Sequence, residues 1–165
     1  MSPDVTQRVD VVVIGAGPAG LHAASLLQDA VKDVVVLEAG SRVGGRLLSV
    51  EAGDGHLDLG GSWFWPGEQR VDAVVRSLGI GTFPQHLDGD MMYQPGGVVQ
   101  RIAGNQLDVP SSRFVDGAQT IATALAERLA DGTVRLADPA QSITSTTDGV
   151  VVDAEHSRWS ASHVV

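Results

Sequence analysis

The chain has 165 residues, of which 43% are hydrophobic and 19% charged, and its formal net charge is −9. That is the size of one domain with apolar residues enough for a core, while the negative balance and scattered arginines exclude a nucleic-acid surface. It has no cysteine, which excludes disulfides and thiolate metal sites, and its five histidines lack ligand spacing, so no metal is expected.

The first ten residues, MSPDVTQRVD, carry acids and no apolar core, and no later run approaches the roughly 18 apolar residues of a membrane span. A soluble, cytoplasmic protein with no membrane partner is the expectation. VDVVVIG (Val9 to Gly15) is a short β-branched run of the kind covered on both faces of a parallel sheet. Gly17 to Ala30 reads as a helix with Leu21, Ala24, Leu27 and Ala30 on adjoining turns, and Asp33 to Glu38 as a second buried strand, which completes a βαβ unit. RLLSVEAGDGHLDLGG then predicts a hairpin turning at Gly53, Asp54 and Gly55.

EQRVDAVVRSLG predicts a helix with Val71, Val74, Val75 and Leu78 on one face and Gly79 as its C-terminal cap. In MMYQPGGVVQRI two strands turn at Pro95, Gly96 and Gly97. A third helix is expected over Ala118 to Ala130, with Ile121, Leu125 and Leu129 inward, and TVRLAD as a further buried strand. From Gln141 the pattern is an antiparallel meander, SITSTT, then VVVDA, then SASHVV. The expected fold class is therefore α/β, a Rossmann-like parallel sheet plus an antiparallel β-meander.

Gly15-Ala16-Gly17-Pro18-Ala19-Gly20 fits G-x-G-x-x-G directly after a strand and at a helix start, the context of a dinucleotide fingerprint. Gly15 would make the tight turn, Gly17 would let backbone approach a pyrophosphate at the helix N-terminus, and Gly20 would let helix and strand pack closely. Glu38, at the end of the second strand, can accept hydrogen bonds from ribose hydroxyls. Its charge disfavours a 2′-phosphate and hence NADP, and leaves NAD and FAD both open.

After Glu38 and Ala39 the chain runs into Arg42-Val43-Gly44-Gly45-Arg46 rather than a second crossover helix. Acid, Ala and R-x-G-G-R in this order resemble the flavin-containing amine oxidases, the monoamine oxidase family. The resemblance implies an FAD-dependent oxidoreductase that removes hydride from an amine-bearing carbon, with an amine substrate and molecular oxygen as electron acceptor. It also implies a loop, with Arg42, Gly44, Gly45 and Arg46, lying along the FAD pyrophosphate and its second arginine on phosphate. LDLGGSWFWPG is similar to the family's D-L-G-G-x-aromatic segment, which implies Gly60, Gly61, Ser62 and Trp63 near the isoalloxazine. VRLADPAQSI resembles the strand and turn whose backbone meets adenine, placing Ala140 there, and FVDGAQTIATALAERL resembles the helix that re-enters the FAD domain.

Three departures accompany the resemblance. Gly40 stands where the family usually has an arginine. Only about 20 residues separate Tyr93 from Arg113, so the substrate-domain insertion is expected to be abbreviated. Val165 precedes the family's second FAD segment and its flavin-facing lysine, so the site is expected to need a C-terminal half or a second chain, and Val164 and Val165 to form an uncovered apolar sheet edge.

The implied organisation is residues 1–80 as the FAD-binding βαβ unit, glycine-pair loop and following hairpin and helix, 81–113 as the abbreviated substrate segment, and 114–165 as the return to the FAD-binding domain. No residue is assigned as catalytic; His56 and Glu51 read as solvated groups flanking a turn. Alternatives are a carotenoid desaturase or protoporphyrinogen oxidase-like enzyme with the same loop, or a flavin-free binding protein like the GDP-dissociation inhibitors.

Overall fold

In the computed structural model, which describes residues 6–105 and 108–165, the most apolar runs form adjacent parallel strands. β1 (Thr6–Ile14) pairs with β2 (Val34–Leu37), and α1 (Pro18–Asp29) makes the crossover. Proline at the first turn of α1 lacks only an N–H that the helix would leave unpaired in any case. Four further strands complete the main sheet: β10 (Val134–Arg135), β11 (Ala140–Thr146), β12 (Gly149–Ala154) and β13 (Arg158–Val164). Their order is β10-β2-β1-β13-β12-β11. The first four are parallel, and the last three form the antiparallel meander, so parallel sheet and meander share the strand β13.

Strand alternation divides the core. Val11, Val13, Val34 and Val36 face Leu21 and Ala24 of α1, Val75 of α2 (Gln69–Leu78), and Ile121 and Leu125 of α3 (Gln119–Glu127). Val12, Val35 and Leu37 point to the other face and pack with Val150, Val152, Trp159 and Ala161 of the meander. Each fully buried Val or Leu contributes about 1.5–3 kcal/mol, so the βαβ unit is held from both sides. α2 ends on Gly79 in the left-handed region (φ 69°), whose N–H donates to the Arg76 carbonyl.

One expectation is corrected here and another is refined. TVRLAD is not a six-residue buried strand: only Val134 and Arg135 pair, at the sheet edge, and a turn with Ala137 at φ 55° ends the strand. The Ala137 and Asp138 N–H groups then donate to the Gly40 and Glu38 carbonyls. At β13 the expected uncovered apolar edge at Val164 and Val165 is present on one side of the strand. β1 pairs with it along its length, and Val165 exchanges backbone bonds with Val12 and Ile14 at 2.9 and 2.8 Å. Its other side is covered by β12 only from Arg158 to Ala161.

β3 (Ser49–Ala52) and β4 (Gly55–Asp58) form the expected hairpin, with Gly53 at φ 58° in its turn. β5 (Trp63–Phe64), β6 (Thr82–Pro84) and β9 (Ser112–Phe114) make a small sheet in the order β5-β9-β6. β7 (Met91–Tyr93) and β8 (Gln100–Ile102) form a second hairpin around a 3-10 turn at Pro95–Gly97. No helix among the described residues is long and apolar enough to cross a membrane.

Candidate functional site

The glycine turn, Glu38, the 42–47 loop and the segment at Gly60 are joined by hydrogen bonds into one structure. Gly15 takes φ 100°, which a side chain would strain, and its N–H donates to the Leu37 carbonyl at 2.8 Å. Ala16 N–H donates to Glu38 Oε2 at 2.8 Å and Gly40 N–H to Glu38 Oε1 at 2.7 Å. The Glu38 carboxylate thus ties the turn after β1 to the chain after β2. Each oxygen keeps a second lone pair, so acceptance from a ribose hydroxyl stays open.

The three glycines of the fingerprint divide by space. A Cβ on Gly20 would lie 2.1 Å from the Gly15 carbonyl oxygen, so Gly20 serves helix-strand packing. A Cβ on Gly17 would meet nothing within 4 Å, so packing among the described residues does not require that glycine. No side chain caps α1 at Gly17, and no acid lies in its first turn. Its N–H groups and the positive end of its dipole are therefore available to an anion.

The loop docks on this turn. Gly44 N–H donates to the Ala16 carbonyl at 2.8 Å, and a Cβ on Gly45 would lie 3.7 Å from the Gly17 Cα. The two arginines differ. Arg42 is folded into its own loop, with Nη1 donating to the carbonyls of Val43 (3.0 Å) and Leu47 (3.1 Å) and Nη2 to that of Gly45 (2.7 Å). Loop carbonyls thus occupy the guanidinium of Arg42. Arg46 makes no side-chain hydrogen bond or ion pair among the described residues.

On the far side, Gly61 N–H donates to the Arg46 carbonyl at 3.2 Å, and a Cβ on Gly60 would approach that oxygen to 1.9 Å. Gly60 thus has a reason inside the chain, where the sequence implied only room for a ring, while a Cβ on Gly61 would meet the end of the Leu47 side chain at 2.9 Å. Ser62 is buried and donates to the Gly60 carbonyl at 2.9 Å. Trp63 is half exposed and meets Trp65 edge-on at 6.3 Å between ring centroids. A cavity of about 430 Å³ runs from Pro18 and Ala19 on α1 past Ser62 and Trp63 to an apolar floor at Val75, Phe114 and Leu125.

Ala39 is exposed beside Glu38, and Ala140 begins β11 opposite Ala154, two residues after the Asp138 N–H that is bonded to the Glu38 carbonyl. Sequence reasoning missed two carboxylates that brace the site. Buried Asp138 accepts from His156 N–H at 2.7 Å and from the Ser157 hydroxyl. Asp58 accepts from the Ser49 hydroxyl at 2.6 Å and from Ala118 N–H at 2.8 Å, which fixes the hairpin to the start of α3. An acid directly before the L-G-G stretch was the available signal for Asp58; nothing local marks Asp138.

With this geometry in view, residues 13–78 match the family model described as an NAD(P)-binding Rossmann-like domain. That match runs from the end of β1 through α1, β2 and the loop to the end of α2. Putrescine oxidase of Kocuria rosea is 39% identical over 114 residues, 68% of this chain and 24% of that protein. Amine oxidase [flavin-containing] B of Homo sapiens is 41% identical over 80 residues, 48% of this chain and 15% of that protein. The chain thus spans a quarter or less of the length of these curated relatives. A solved putrescine oxidase bound to putrescine superposes with a TM-score of 0.86 at 20% identity, covering 97% of this chain and 58% of that one. Cyclohexylamine oxidase from Brevibacterium oxydans gives 0.84 at 18% identity, with 94% and 57% covered. These structures share the fold.

Proposed function

We propose, from the premise that this chain belongs to the flavin-containing amine oxidase family as its N-terminal part, that it binds FAD and forms the cofactor-holding portion of a cytoplasmic amine-oxidising oxidoreductase. The observation that carries the reading is the docking of the Arg42 to Arg46 loop on the glycine turn through Gly44 N–H and the Ala16 carbonyl. A simple NAD domain continues from its second strand into another crossover. Here a second backbone ridge lies alongside the first.

The residues present fit the cofactor. Gly17, with open space over its Cα, and the uncapped start of α1 suit a pyrophosphate. Arg46 has a free guanidinium to add charge, and Glu38 suits free ribose hydroxyls and opposes a 2′-phosphate. Ala140 and the backbone beside it, tied to Glu38 through the Asp138 N–H, suit the adenine. The cavity between Pro18 and Trp63 leaves room for the ring, with Gly61, Ser62 and Trp63 along it and Gly60 next in the chain.

When bound, FAD supplies the hydride-accepting chemistry, and this chain's part is to bind, orient and shield it. An amine is the proposed substrate and molecular oxygen the proposed electron acceptor. Turnover is proposed to require the remainder of the family fold, as further sequence or as a second chain. The test is to purify the protein, release its ligand by denaturation and identify it by mass. FAD is expected; recovery of NAD, or no FAD uptake by folded protein, would overturn the reading.

A further inference from the structure

Arg42 and Arg46 flank the same glycine pair, yet only one is free. We propose that Arg42 is a positioning residue: it draws the loop carbonyls inward so that the backbone N–H of Arg46, beside that of Gly45, faces a phosphate of the bound dinucleotide, which Arg42 itself does not touch. This rests on the FAD reading above and deepens it.

The geometry is that of alternating peptide planes. In a trans peptide the C=O and N–H point in opposite directions. The Val43 carbonyl accepts from Arg42, and the N–H of the same plane, on Gly44, reaches the Ala16 carbonyl on the other side. The Gly45 carbonyl also accepts from Arg42, so the N–H of its plane, on Arg46, is directed away from the guanidinium. Leu47 N–H closes the turn on the Gly44 carbonyl at 2.9 Å. The Gly45 and Arg46 N–H groups have no partner among the described residues.

Two successive bare N–H groups at a tight turn make an anion-binding concavity. The glycines permit the clamp. Gly44 and Gly45 take φ 108° and 54°, and a Cβ on Gly44 would lie 2.6 Å from the Leu47 carbonyl oxygen and 3.2 Å from Arg42 Nη1. A planar fork holds its donors in fixed directions toward the three carbonyls, whereas an ammonium carries its three donors at one rotatable point on a flexible stem.

The experiment compares Arg42→Lys, Arg42→Ala and Arg46→Ala for ADP and FAD binding by calorimetry at several KCl concentrations, with thermal melts to confirm folding. Both Arg42 variants are expected to bind about tenfold or more weakly, since misaimed donors lose their bonds to the ligand, while keeping the wild-type salt dependence. Arg46→Ala is expected to weaken binding and flatten the salt dependence. Wild-type affinity for both ligands in Arg42→Lys, or a flattened salt dependence in Arg42→Ala, would overturn the clamp. Should the Arg42 variants not fold, guanidinium NMR on wild-type protein decides, with hindered rotation expected at Arg42 and free rotation at Arg46; free rotation at Arg42 overturns the inference. No uptake of ADP or FAD by wild-type protein overturns the dinucleotide reading as well as this one, whereas uptake with a freely rotating Arg42 overturns this one alone.

Discussion

The two ends of the candidate site are built differently. At the Glu38 end, strand ends and turn are tied backbone to backbone, and the strands beneath are buried on both faces: Val12, Val13, Val35, Val36 and Leu37 are all 2% exposed or less. At the Trp63 end the supporting strands are two or three residues long, and Trp63, Trp65, Phe83 and Tyr93 are each between 44% and 48% exposed. The first end is tied together without a ligand, through the Gly15, Ala16 and Gly40 N–H groups. The second presents aromatic area that no described residue covers. Recognition of the nucleotide is thus proposed as preformed, and enclosure of the ring as dependent on further protein.

The sharpest way to break that contrast is to crowd one glycine from each end. Gly60→Ala would place a Cβ 1.9 Å from the Arg46 carbonyl oxygen, and Gly20→Val would drive its Cβ toward the Gly15 carbonyl, 2.1 Å away. Both neighbours are backbone and cannot rotate aside. Each substitution is expected to cost about 3 kcal/mol or more in urea unfolding. If Gly60→Ala unfolds as wild type does, the ring-side segment is not seated against Arg46 as described.

Next in size is Glu38→Ala, which removes the acceptors of the Ala16 and Gly40 N–H groups. A loss of about 1–3 kcal/mol in stability is expected even without ligand, with a comparable loss in FAD affinity. Glu38→Arg should do no better, since FAD has no 2′-phosphate. Unchanged stability with weakened binding would confine Glu38 to ribose contact. Gly17→Ala separates the effects in the other direction. Its added methyl meets nothing within 4 Å, and φ −74° suits alanine, so the melting temperature should hold or rise slightly. FAD binding should nevertheless fall by about tenfold, because backbone can no longer approach the pyrophosphate.

The parts legible in the sequence are those where short-range pattern decides. β1 and β2 follow from β-branched runs, α2 from Val71, Val74, Val75 and Leu78 at helical spacing, and the hairpin turn from Gly53 and Asp54. The G-x-G-x-x-G turn and the loop at Gly44 and Gly45 are equally local. Partnership between distant segments is not. That β13 lies between β1 and β12 depends on a parallel pairing across about 150 residues, and β10 is cut short at Ala137, two residues before Pro139, the nearest local turn signal. Arg42 and Arg46 are the same residue type at either end of one motif, and only the coordinates show which is enclosed by carbonyls. For Asp138 the obstacle is similar, since its donors are at His156 and Ser157.

A small effect on folding is also expected at Trp63, where the two ends of the site differ most in exposure. The indole is 48% exposed and touches Trp65 by its edge, so Trp63→Leu loses little buried area, and a change within about 1 kcal/mol is expected in thermal unfolding. If the ring of FAD occupies the cavity that Trp63 borders, however, the same substitution should alter the absorbance band shape of bound flavin and remove part of the tryptophan emission change on FAD addition. Trp159 provides the internal control: it is 5% exposed, bonded to the Ser157 hydroxyl at 2.6 Å, and packed in the meander away from the cavity. Trp159→Phe should therefore lower stability while leaving the flavin band as it is in wild type. A Trp63→Leu variant with an unchanged flavin spectrum would place the ring elsewhere, and the exposed indole would then belong to a protein contact rather than to the cofactor.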